Sequence, residues 1–111
     1  YEAFRQDRAA PVAIRKQSSL AEGIAIAEPV RGAQILSAVR RSGGTFLVVS
    51  EAEIHAALKM VARQGHYIEP TSAAVIAGVE QYLRSGASEK IIVTAFTGHG
   101  LKATETMMKI S

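Results

Sequence analysis

Ile91-Ile92-Val93-Thr94-Ala95-Phe96 is apolar at five of six positions and β-branched at four. A loop-forming Ser85-Gly86-Ala87-Ser88 lies upstream, and Thr97-Gly98-His99-Gly100 follows directly. The run is too short for an amphipathic helix and too evenly apolar for a strand with one wet face. It reads as a strand buried on both sides. Thr45-Phe46-Leu47-Val48-Val49, after Gly43-Gly44, repeats the pattern.

Helical periodicity surrounds these runs. After Pro29, residues Val30, Ala33, Ile35, Leu36 and Val39 mark one face, with Arg40 and Arg41 suited to the negative end of the helix dipole. Ser50 and Glu53 form a capping-box signature for the next helix, whose stripe is Ile54, Ala57, Leu58 and Val61 and which Gly65 ends. Tyr67-Ile68 reads as a brief extended piece. Thr71 or Ser72 starts a further helix, with Ala74, Val75, Ala77, Gly78, Val79, Tyr82 and Leu83 as its apolar positions. Residues 1–7 read as the end of a helix, and residues 11–14 as a short extended segment. Ser18-Ser19-Leu20-Ala21-Glu22 reads as a helix start that Gly23 interrupts, and residues 101–110 as a turn with a weak helix.

Strands alternating with helices predict an α/β chain with a parallel sheet, here an incomplete three-layer domain. Two strands leave unpaired edges. The missing strands are expected upstream in a parent chain, or the edges pair with a second copy or a partner, as a homo-oligomer would. The first residue is Tyr1 rather than Met, which fits a processed or truncated chain. Residues 1–111 are read as one partial domain, with residues 1–17 a connecting segment.

Composition narrows the function classes. The 111 residues are 48% hydrophobic and 21% charged, as in a globular protein. Cysteine is absent, so there is no disulfide framework, thiolate nucleophile or cysteine zinc site. That absence is compatible with the cytoplasm. The net charge is +3, but the basic residues are scattered and aromatics are only 5%, so no nucleic-acid surface is expected. No apolar run is long enough for a membrane span.

Two segments carry candidate chemistry. Thr97-Gly98-His99-Gly100 leaves the end of the second apolar run, where open parallel sheets bind ligands. Its glycines permit close approach to a ring, and its threonine offers an uncharged donor and acceptor. A polar turn after a strand explains the same residues. Glu69-Pro70-Thr71-Ser72 opens a helix whose free amides suit an anion, though taken alone the segment reads first as an ordinary capped helix. His55, His66 and His99 show no metal-ligand spacing, so no metal is expected.

Taken in order, these segments resemble the C-terminal part of threonine synthases, pyridoxal-phosphate enzymes of the tryptophan synthase β type. Glu69-Pro70-Thr71-Ser72-Ala73-Ala74 is similar to that family's EP-A-S-A-A segment, with Thr71 in place of the usual small residue. Thr97-Gly98-His99-Gly100-Leu101-Lys102 is similar to its T-G-H-G-L-K-D segment, with Ala103 where Asp is common. Leu20-Ala21-Glu22-Gly23-Ile24-Ala25-Ile26 with Pro29-Val30, Ser42-Gly43-Gly44, and Ser50 with Glu53-Ile54 also match, so the resemblance covers residues 18–102.

The resemblance implies that Thr97 bonds the pyridine nitrogen of pyridoxal 5'-phosphate through a neutral hydroxyl, which leaves the ring unprotonated. It places Gly98 and Gly100 under the ring, and Glu22, Gly23 and Glu69 around cofactor and substrate. No catalytic residue is expected in this segment. The family's Schiff-base lysine and phosphate loop are expected upstream, and Lys16, Lys59, Lys90, Lys102 and Lys109 read as surface lysines. The implied parent activity is conversion of O-phospho-L-homoserine and water to L-threonine and phosphate, by a lyase acting on a small amino-acid substrate in threonine biosynthesis. The isolated chain is expected to be inactive. The alternatives are threonine dehydratase, diaminopropionate ammonia-lyase, or a non-catalytic interaction module.

Overall fold

Local sequence sets where each helix begins. In the computed structural model, which describes residues 1–88 and 91–110, Ser50 starts helix α3 (Glu51–Arg63) with a complete capping box. The Ser50 hydroxyl accepts from the Glu53 amide at 3.3 Å, and the Glu53 carboxylate accepts from the Ser50 amide at 2.7 Å. Gly65, at φ 87°, takes the left-handed turn just past the helix end. The expected stripe of Ile54, Ala57, Leu58 and Val61 is the buried face of this helix.

The other helices are α1 (Glu2–Arg5), α2 (Gly32–Arg41), α4 (Pro70–Arg84) and α5 (Thr104–Ile110). Two 3-10 turns lie at Glu22–Ile24 and Gly100–Ala103. Helix α4 begins at Pro70, earlier than Thr71 or Ser72, because proline is preorganised for the first helical position and has no amide to leave unpaired. Helix α2 begins only at Gly32, so Val30 is fully exposed and does not join the apolar face. The expected helix start at Ser18 or Ser19 is only the short turn at Glu22–Ile24.

The core lies between α3 and α4. Ala57, Ala73 and Ala77 are completely buried there, and such small side chains let the helix backbones approach closely. Ile54, Leu58, Val61, Ile68 and Ala21 complete the cluster.

The parallel sheet expected from residues 45–49 and 91–96 is not formed. Among the described residues there is no β-strand, and the isolated β-bridge is antiparallel, between Ile68 and His99. The reason is physical. An apolar, β-branched run reports a demand for burial, but extended backbone becomes a strand only when a neighbour supplies ladder hydrogen bonds. Neither run has such a neighbour here, and Val48, Ile91 and Val93 stand exposed instead. The fold is therefore helical rather than three-layer α/β. There are no sheet edges among the described residues to mediate association. Lys90 lies outside those residues.

Candidate functional site

The two candidate segments meet side by side. The Glu69 amide donates to the Gly98 carbonyl at 3.0 Å, and the Gly100 amide donates to the Tyr67 carbonyl at 2.9 Å. Ser72 locks the arrangement from the first turn of α4. Its side chain is completely buried, and its hydroxyl accepts from the backbone amides of Thr97 at 2.9 Å and Gly98 at 3.3 Å. Ser72 therefore does not cap its own helix. It holds the turn that follows residues 91–96.

That staple fixes the Thr97 side chain. Thr97 Oγ1 donates to Glu69 Oε1 at 2.9 Å and lies 3.2 Å from Ser72 Oγ. Glu69 Oε2 lies 3.9 Å from Lys102 Nζ. The Glu69 side chain is only 15% exposed, whereas Lys102 reaches into solvent. Gly98 is required by the same contact, because a Cβ there would strike the Glu69 carboxylate. At Gly100 a Cβ would sit 2.7 Å from the Tyr67 ring. His99 Nδ1 accepts from the Leu101 amide at 3.3 Å, which places the ring proton on Nε2 when the imidazole is neutral.

A third segment closes the site. Ala21 is buried in the core, and the turn at Glu22–Ile24 rests on the start of α4. At Gly23 an added Cβ would approach Thr71 Oγ1 to 2.8 Å, so glycine permits this packing. Thr106 Oγ1 on α5 reaches Glu22 Oε1 at 3.5 Å. A cleft of about 500 Å³ opens between these pieces, lined by Leu20, Glu22, Gly23, Glu69, Pro70, Thr71, Thr97, Lys102, Ala103 and Thr106.

Four of the expected residues, Glu22, Gly23, Glu69 and Thr97, line one cleft, and Gly98 and Gly100 form the turn beside it. The sequence did not single out Ser72 as the staple, or Lys102 as the partner of Glu69. Both stand inside the quoted segments, but contacts between residues 25 or more positions apart leave no local signal. Among the described residues no group of three His, Asp or Glu side chains is arranged to hold a metal ion.

Residues 1–98 match the family model of pyridoxal-phosphate dependent enzymes. The chain belongs to that family. Among curated proteins it is similar to threonine synthase from Methanocaldococcus jannaschii, with 35% identity over 99% of this chain and 28% of the relative. Threonine synthase from Methanosarcina acetivorans is 39% identical over 83% of this chain and 24% of the relative. The Mycobacterium bovis enzyme is 38% identical over 82% and 26%. The chain thus spans about a quarter of the length of these relatives.

Pyridoxal phosphate is the cofactor of this family, and one feature of the cleft is compatible with an edge of its ring. A hydroxyl held in place at the cleft wall is of the kind that a ring nitrogen bonds, while the Cβ positions of Gly23 and Gly98 are taken up by Thr71 and the Glu69 carboxylate. The described residues provide no Gly-rich phosphate cradle, and Lys102 is engaged with Glu69.

Proposed function

We propose that this chain forms the ring-nitrogen side of the active site in a threonine synthase, which converts O-phospho-L-homoserine and water to L-threonine and phosphate. The observation that carries the reading is the position of Thr97. Its hydroxyl is held on a cleft wall by Glu69 and Ser72, while the glycine-bearing turns of residues 21–24 and 97–100 border the same space. Pyridoxal phosphate, when bound, supplies the electron withdrawal that makes elimination of a substrate phosphate possible. The chain's own residues do simpler work. Thr97 orients the ring through its nitrogen edge with Glu69 beside it, Gly98 and Gly100 let backbone lie near the ring, and Glu22 and Gly23 border the cofactor and substrate space.

The reacting lysine and the phosphate site belong, in this reading, to a longer cytoplasmic polypeptide that carries this segment. The 111-residue chain alone is expected to be inactive. Self-association is part of the proposal, supported by the exposed apolar residues Ile91, Val93 and Met108. The deciding experiment offers the full-length polypeptide O-phosphohomoserine and, separately, threonine. Phosphate release with threonine formation supports the synthase. Ammonia and 2-oxobutyrate from threonine, with O-phosphohomoserine untouched, would make it a dehydratase.

A further inference from the structure

The Thr97 hydroxyl has one proton, and Glu69 holds it. Thr97 Oγ1 lies 2.9 Å from Glu69 Oε1, and a carboxylate can only accept. Ser72 Oγ is 3.2 Å from the same threonine oxygen, so with that proton committed, Ser72 must be the donor between them. Ser72 Oγ also accepts from the Thr97 and Gly98 amides, which fills its lone pairs. Thr97 therefore faces the cleft with an unused lone pair and no available proton. A ligand nitrogen that lacks a proton can bond Thr97 only if Glu69 releases it.

Glu69 has a second partner positioned for that release. Lys102 Nζ stands 3.9 Å from Glu69 Oε2, farther than a direct hydrogen bond, on a side chain that is 67% exposed and able to move closer. Gly98 lets the carboxylate lie directly against the turn, where a Cβ would strike it.

We infer that Glu69 is a positioning residue that competes with the cofactor ring nitrogen for the Thr97 proton, and that Lys102 retains the Glu69 carboxylate once the hydroxyl turns to the ring. The inference rests on the reading of Thr97 given under Proposed function. It assigns Glu69 a cost in cofactor affinity, and it makes the strength of the nitrogen bond adjustable through a surface ion pair.

The test is cofactor binding by the full-length polypeptide carrying this segment, measured by titrating the cofactor-free protein with pyridoxal phosphate. Glu69→Gln replaces a carboxylate with a weaker, neutral acceptor whose amide can instead donate to Thr97. Affinity is expected to rise about three- to tenfold, the scale of one hydrogen bond. In a Thr97→Val background the same substitution is expected to give no gain. With cofactor labelled by nitrogen-15 in the ring, Glu69→Gln is expected to shift the ring resonance only when Thr97 is present. Lys102→Met, at an exposed position, is expected to weaken binding by leaving the carboxylate on Thr97. If Thr97→Val weakens binding but Glu69→Gln leaves it equal or lower, the competition is overturned and Thr97 keeps its role. If Thr97→Val changes neither affinity nor resonance, both the inference and the reading beneath it fall.

Discussion

Ser72 Oγ accepts from the Thr97 amide at 2.9 Å, tying the first turn of one helix to a loop 25 residues later. Ser72 is completely buried, the bond itself is half-buried, and the same oxygen also serves Gly98. Removing it strands two backbone amides that have few other partners. Ser72→Ala is expected to destabilise the chain by about 1 to 3 kcal/mol, the range for a buried polar group left unpaired. Denaturant unfolding measures the loss. Hydrogen exchange locates it, with the Thr97 and Gly98 amides losing protection ahead of the α3–α4 core. An unchanged unfolding midpoint would show that water replaces the staple at no cost.

Gly98 and Gly78 should respond in opposite directions to alanine. At Gly98 the new Cβ collides with the Glu69 carboxylate, which is pinned by Thr97 and Lys102. Gly98→Ala is expected to cost about 1 to 3 kcal/mol, as overpacking does, and to break the Thr97–Glu69 bond. Gly78 sits within α4, where a Cβ would meet only Leu47 Cδ1 at 3.9 Å, an ordinary contact. There the gain in helix propensity prevails, and Gly78→Ala is expected to stabilise by about 0.5 to 1 kcal/mol. Paired thermal melts decide the matter. Two losses of equal size would mean that α4 has no room at Gly78.

Acid sensitivity is expected at the start of α3. The Ser50 amide and then the Ser50 hydroxyl, assisted by Arg84, hold the Glu53 carboxyl below the usual glutamate range. Its folded pKa lies below its unfolded one, so the stabilisation is complete above the unfolded value. It disappears as pH falls through the folded value. Glu53→Gln is expected to reduce stability at neutral pH and to flatten its decline in acid. Unfolding curves across the carboxylate range test this, and parallel pH profiles for the two proteins would rule the linkage out.

What could be read in the sequence follows from how far apart the deciding residues are. The capping box spans three residues, and the Ile54, Ala57, Leu58 and Val61 stripe repeats within one helix, so both were legible. The helix that opens the site was legible as well, and only its start differs, because Pro70 takes the first position. Residues 45–49 and 91–96 misled because apolar, β-branched character is common to paired strands and to extended segments awaiting cover. The site was visible only as two motifs. Their meeting depends on the Glu69–Gly98 and Tyr67–Gly100 backbone bonds, which any residue types supply and no side-chain pattern announces.

The uncovered apolar residues lead to the last expectation. Val30 is fully exposed, Ile91 and Val93 are more than four-fifths exposed, and Met108 is three-quarters exposed. The radius of gyration is 14.9 Å. A compact domain of this length has about 13 Å, so the chain is more open than its size requires. Exposed apolar area on this scale favours association, because burying each large side chain contributes about 1.5 to 3 kcal/mol. The isolated chain is expected to self-associate as its concentration rises, as seen by light scattering on a sizing column. Ile91→Lys with Val93→Lys is expected to shift it toward monomer. Intrinsic stability should move by no more than about 0.5 kcal/mol, since neither side chain packs in the core. A chain that stays monomeric at all concentrations sinks the expectation. Association that survives both lysines assigns it to another face, with the Ile14, Ile24 and Ile26 groove near α2 the next place to substitute.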